Sequence, residues 1–112
     1  MASASEHRTA LIVGVGLIGG SVGLCLRGAG WNVLGRDRSA SCLERALAVG
    51  AIDSIAPEGF VDDVDLTVVA TPVGVVAKEV ALALRETTGL VTDVGSVKTP
   101  LLPLMENPRF IG

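Results

Sequence analysis

Apolar residues along the chain fall alternately in short unbroken runs and in helically spaced sets. Thr9-Ala10-Leu11-Ile12-Val13 is a continuous run that stops at Gly14. A strand exposed on one face would alternate apolar with polar, so this one is predicted to be central and covered on both faces. From Leu17 to Ala29 the apolar positions Ile18, Val22, Cys25, Leu26 and Ala29 recur at helical spacing, and Gly28 and Gly30 end that helix. Asn32 to Arg36 reads as a second strand finishing at Asp37. Ser39 is placed to cap a second helix with Leu43, Ala46 and Leu47 on its inner face and Gly50 at its close. Ile52 to Ala56 is a weak third strand stopped by Pro57, and Asp65 to Ala70 a strong fourth. Thr71-Pro72 opens a third helix with a buried stripe of Val73, Val76, Val80 and Leu84. Leu90 to Val94 follows as a fifth strand, then a Pro-bounded helical segment from Lys98 to Met105, and Arg109-Phe110-Ile111 begins a sixth strand.

Strands alternating with helices imply right-handed crossovers, and hence an α/β fold with a doubly wound parallel sheet. Composition agrees: fourteen Gly stand against two Phe, one Trp and no Tyr, so the core is built from Val, Leu, Ile and Ala. With 49% apolar residues in 112, the chain has enough material for one domain and is far from the balance of a disordered segment. A net charge of −3 and a pI near 5.0 argue against a nucleic-acid surface, which needs a basic patch. They leave room for one phosphate site, because backbone N–H groups hold phosphate without any cationic side chain. Cys25 and Cys42 lack metal-type spacing and read as two reduced, partly buried thiols. No apolar run follows the charges near the start, and no stretch reaches the roughly 18 apolar residues of a membrane helix. The expectation is a soluble cytoplasmic protein with no metal, nucleic-acid or membrane partner.

The strongest chemical signal is Gly14-Val15-Gly16-Leu17-Ile18-Gly19, set between a predicted strand and a predicted helix. That context suits a dinucleotide, whose pyrophosphate sits at a helix N-terminus where free N–H groups and the helix dipole point outward. Gly14 allows the tight turn, Gly16 lets the backbone approach the phosphates, and Gly19 lets the helix lie close on the strand. Asp37, 18 residues after Gly19, ends the second strand where a carboxylate accepts hydrogen bonds from the adenosine ribose and repels a 2′-phosphate. This favours NAD, with NADP kept open by the flanking Arg36 and Arg38, either of which can also be a plain surface charge. The candidate cofactor-binding set is therefore Gly14, Gly16, Leu17, Ile18, Gly19, Asp37 and Arg38, with Ala70, Thr71 and Pro72 from the end of the fourth strand. Thr71 has the alternative of serving only as a helix cap. Asp93-Val94-Gly95-Ser96-Val97-Lys98, at the end of the fifth strand, faces the same crevice and supplies candidate substrate contacts. His7, in the polar tail of residues 1–8, is the only histidine, so the base expected of a dehydrogenase is missing.

Gly-Val-Gly-Leu-Ile-Gly-Gly-Ser at 14–21, Ala-Thr-Pro-Val at 70–73 and Asp-Val-Gly-Ser-Val-Lys at 93–98 together resemble the prephenate/arogenate dehydrogenase family. The closing Arg109-Phe110-Ile111-Gly112 is similar to the residues preceding that family's Gly-His-Pro-Met-Ala-Gly segment. The resemblance covers residues 9–112 and implies a Rossmann-type dinucleotide-binding domain. It further implies oxidative decarboxylation on the tyrosine pathway: a hydride passes from the hydroxyl-bearing ring carbon to the nicotinamide, carbon dioxide leaves, and the ring becomes aromatic. In the family a Ser at the position of Ser96 binds near the substrate hydroxyl, and by this register the catalytic His falls just past Gly112. The C-terminal helical domain that completes the site and forms the homodimer is expected beyond the chain as well, so 112 residues alone are expected to be catalytically silent. Arg36 stands where the family usually has an apolar residue.

Two other readings stay open at this point. One is a different nicotinamide-dependent enzyme with the same half, such as a reductase of the pyrroline-carboxylate or hydroxyacid type. The other is a nucleotide-binding or regulatory module without chemistry of its own, which fold analogy alone does not separate from an enzyme.

Overall fold

In the computed structural model, residues 8–94 and 107–111 are described. Six strands form one parallel sheet: β1 (Thr9–Val13), β2 (Asn32–Arg36), β3 (Ser54–Ile55), β4 (Leu66–Val69), β5 (Leu90–Asp93) and β6 (Phe110–Ile111). Among the described residues three α-helices lie between strands: α1 (Leu17–Gly28) after β1, α2 (Ala40–Ala48) after β2 and α3 (Val76–Glu86) after β4. The strand order is β3-β2-β1-β4-β5-β6, so the chain leaves β1 to one side and returns on its other side at β4. That reversal is the topological switch of a Rossmann-type doubly wound sheet.

Two apolar cores explain the unbroken strand runs. Leu11, Val13, Val69 and Val91 pack with Val76, Val80 and Ala83 of α3 on one face. Ile12, Val33 and Val68 pack with Val15, Ala46, Ala51 and Ile52 under α1 and α2 on the other. Successive residues of β1 thus serve opposite cores, and Ala10, Leu11 and Ile12 are all fully buried.

The elements depart from expectation in several places. The third strand shrinks from 52–56 to two residues, because only Leu34 and Gly35 pair with it. The third helix does not start at Pro72: a 3₁₀ turn over Val73–Val75 comes first, held by the Val75 N–H on the Pro72 carbonyl at 3.0 Å. Ser39 does cap α2, accepting the Cys42 N–H at 3.3 Å, but Leu47 lies outside with Ala46 alone fully buried. In α1 the helical spacing holds, but Ile18, Cys25 and Ala29 are exposed and the buried line is Gly19 and Gly23. A Cβ at Gly23 would stand 2.2 Å from the Ala51 carbonyl oxygen, so the helix is seated too closely for any side chain there. Val22 and Leu26 pack on either side of that contact. Cys25 is consequently an exposed thiol, while Cys42 is half-buried as expected. The segment from Lys98 to Met105, and with it Ser96, lies outside the described residues.

Among the described residues, no helix is long and apolar enough to cross a membrane.

Candidate functional site

The turns leaving β1 and β4 meet at the switch point of the sheet. The Ala70 N–H donates to the Val13 carbonyl at 2.8 Å, and the Gly14 N–H donates to the Arg36 carbonyl at 2.8 Å. Gly14 therefore lies between the ends of β2 and β4, with φ +92°, and a Cβ there would come 2.7 Å from the Ala70 carbonyl oxygen. Both the conformation and the space demand glycine.

The three glycines of the turn do different things. A Cβ on Gly19 would collide with the Gly14 carbonyl oxygen at 1.8 Å, so Gly19 holds α1 against the turn. Gly16 is another matter. Its φ of −70° is open to any residue, and a Cβ there would meet nothing within 4 Å. Among the described residues, no neighbour explains why this position carries no side chain.

Gly16 is also the N-cap residue of α1, and the helix begins with no side-chain cap and no acidic residue in its first turn. α2 differs, with its Ser39 cap. The first N–H groups of α1 therefore meet, at the positive end of the helix dipole, no side-chain cap and no acidic residue of their own turn. Leu17 and Ile18 stand in that turn 89% and 59% exposed.

Around this N-terminus the structure gathers most of the residues singled out from the sequence. Asp37 is half-buried beside it, accepting the Val15 N–H on Oδ2 at 2.9 Å and the Ser39 N–H on Oδ1 at 2.8 Å. Ala70 abuts Gly14 and Gly19. The Thr71 hydroxyl is shielded from solvent and has no hydrogen-bond partner among the described residues. Pro72 is exposed. Asp93, buried at 8% exposure, pairs in register with Val69 at the end of β5.

Arg36 and Arg38 part company. Arg36 turns under the loop after β3, donating to the Pro57 and Gly59 carbonyls at 2.6 and 3.1 Å and pairing with Glu86 at 3.2 Å. Its guanidinium is thus committed to partners within the chain and is not a free surface charge. Arg38 is exposed, with no side-chain hydrogen bond or ion pair among the described residues. Sequence reasoning missed the partnership of Val15 with Asp37, because the signal is a contact between two turns 22 positions apart. It also missed Arg109, whose guanidinium donates to the carbonyls of Leu84, Thr87 and Gly89 at 2.9, 2.6 and 2.8 Å and so caps the end of α3.

Comparison with known proteins meets the same region. The family model of the prephenate dehydrogenase nucleotide-binding domain matches residues 22–109. A probable prephenate dehydrogenase of Streptomyces niveus is 42% identical over 92 residues, covering 81% of this chain and 25% of that one. The crystal structure of prephenate dehydrogenase from A. aeolicus, in complex with hydroxyphenyl propionate and NAD+, superposes with a TM-score of 0.79 at 25% identity, over 96% of this chain and 41% of that one. Synechocystis arogenate dehydrogenase gives 0.72 at 26% identity, over 86% and 37%. The chain spans about a quarter of the length of the curated relatives it matches. On the match of its sequence and fold, this chain belongs to the prephenate dehydrogenase nucleotide-binding domain family.

Proposed function

We propose that this chain is the cofactor-binding half of a nicotinamide-dependent oxidoreductase that oxidatively decarboxylates prephenate or arogenate in tyrosine biosynthesis. The observation that carries the reading is Gly16, a glycine that no described neighbour requires, at the N-terminus of α1, which has no side-chain cap. Its bare backbone makes sense if a ligand fills the space a side chain would take. A pyrophosphate suits that place, since its negative charge meets the N–H groups of the first turn.

The other residues fit the remainder of a dinucleotide. Asp37 keeps acceptor capacity for ribose hydroxyls beyond the two N–H groups it already holds. Its charge opposes a 2′-phosphate, and Arg36 is held elsewhere, so NAD is the preferred nicotinamide. Arg38 is the cation left for NADP. Gly14, Gly19 and Ala70 shape the turn, Leu17 and Ile18 are exposed at the start of α1, and Thr71 and Pro72 follow Ala70 beyond β4. When bound, the nicotinamide supplies a hydride acceptor. On the family resemblance, Ser96 contacts the substrate, and the histidine and helical domain of a longer homodimeric cytoplasmic enzyme complete the site.

Gly16→Val tests the reading. NAD binding measured by calorimetry is expected to fall below detection while circular dichroism and thermal unfolding stay near wild type, because a Cβ at this position meets no described atom within 4 Å. Wild-type affinity in that variant removes the assignment.

A further inference from the structure

Asp37 is placed to do more than contact a ribose. The turn after β1 hangs from the end of β2 by two consecutive N–H groups: Gly14 donates to the Arg36 carbonyl at 2.8 Å, and Val15 donates to Asp37 Oδ2 at 2.9 Å. The second of these is made by a side chain. Val15 is only 5% exposed and packs in the core under α1 and α2. Without the carboxylate its N–H has poor access to water, and an orphaned buried N–H is costly. The other oxygen, Oδ1, accepts the Ser39 N–H two residues on, fixing the residue whose hydroxyl caps α2.

We propose that Asp37 is a positioning residue: one carboxylate holds the glycine-rich turn and the start of α2 in a single arrangement. Selection at the ribose and the shape of the phosphate turn then reside in the same group. The link to nucleotide binding rests on the nicotinamide site proposed above; the holding role does not. Ser offers one oxygen on a shorter stem, and Asn one acceptor oxygen with an NH₂ turned toward the second N–H donor. Neither restores both bonds. Removing the charge that repels a 2′-phosphate therefore loosens the turn and lowers affinity for both nicotinamides, instead of converting one preference into the other.

Amide hydrogen exchange of the nucleotide-free protein, with calorimetric titration of NAD and of NADP, tests this on Asp37→Asn and Asp37→Ser. The Val15 and Ser39 amides are expected to exchange roughly tenfold faster or more, the size of effect that follows from losing a hydrogen bond to a charged group. The amides of β5 should keep wild-type protection, which separates local loosening from general destabilisation. NAD and NADP affinities should fall together. Unchanged Val15 exchange with a gain in NADP affinity overturns the proposal and leaves Asp37 as a ribose contact alone. Should Asp37→Ser fail to fold, faster exchange of the Val15 or the Ser39 amide in Asp37→Asn still supports the holding role, and wild-type exchange of both refutes it. If the wild-type protein binds neither nucleotide, the nicotinamide reading fails, while the exchange data still decide the role of Asp37.

Discussion

At the N-terminal edge of the sheet, charged side chains are committed to the backbone. Asp65 accepts the Thr9 N–H at 2.8 Å, and Asp53 accepts the Val33 N–H at 2.7 Å while pairing with Arg27 at 3.0 Å. Arg27 reaches on to the Gly50 carbonyl at 2.7 Å, and Arg109 gathers three carbonyls at the end of α3. At the C-terminal edge of the same strands, α1 starts uncapped, Leu17 and Ile18 project outward, and the shielded Thr71 hydroxyl has no partner among the described residues. Backbone and buried polar groups need partners. The first edge finds them within the chain, whereas at the second the start of α1 has no side-chain cap and the Thr71 hydroxyl has no partner among the described residues. The strands are rigid and shared, so one edge can be closed for stability while the other stays open for a ligand. Arg36 and Asp37, at the C-terminal end of β2, are exceptions: the guanidinium holds the Pro57 and Gly59 carbonyls, and the carboxylate holds the Val15 and Ser39 N–H groups.

The severest way to break the division is to damage the element both edges depend on. Gly19→Ala drives a Cβ into the Gly14 carbonyl oxygen, and backbone rather than a flexible side chain must give way. A loss of more than about 4 kcal/mol is expected, in the range reserved for strong steric conflicts. Denaturant unfolding measures it, and a wild-type midpoint would mean that α1 does not lie so close to the turn. The next effect is smaller and confined to one edge. Arg109→Ala removes the donor to three carbonyls, and a loss of about 2–3 kcal/mol is expected from hydrogen bonds to a charged group. NAD affinity should not change. Arg109→Lys should recover only part, because an ammonium lacks the planar fork that spans three acceptors. A variant that loses nucleotide affinity at full stability would show that the two edges are not independent.

What the sequence made legible follows from how far each interaction reaches. The doubly wound sheet, the glycine turn and the Ser39 cap depend on neighbours within a few residues, and all three stand where the pattern puts them. The packed face of α1 was not legible because a helix with one charge in twelve residues, Arg27, is apolar nearly all round, so spacing does not single out a face. Only the packed structure shows that Gly19 and Gly23, not Ile18 and Cys25, touch the sheet and its loops. Arg36 and Arg109 were opaque for another reason. Their partners lie 50 positions away for Glu86 and 25 for Leu84, and nothing near either arginine hints at a carbonyl waiting for it. The glycines at 14, 16 and 19 were legible as a set but not as individuals. Their sequence pattern is uniform, whereas the spaces beside them are not.

The smallest effect sharpens the comparison most, because its sign differs between stability and binding. A shielded hydroxyl without a partner carries a desolvation cost of about 1–3 kcal/mol, and an apolar group of the same shape does not. Thr71→Val replaces the hydroxyl with a methyl group and keeps the branched outline, so the nucleotide-free protein is expected to gain about 1 kcal/mol. For a domain of this size that is a rise in Tm of roughly 4–8 °C. If the hydroxyl is held ready for the ligand, the same change removes a hydrogen bond from the complex, and NAD affinity should fall by roughly tenfold. A gain in stability with unchanged affinity would make Thr71 a flaw of the fold with no part in binding. A loss of stability would mean that the hydroxyl has a partner in solution, and the C-terminal edge would then be less open than its geometry shows. Only opposite signs, more stable alone and weaker with ligand, match an edge whose polar groups are completed from outside.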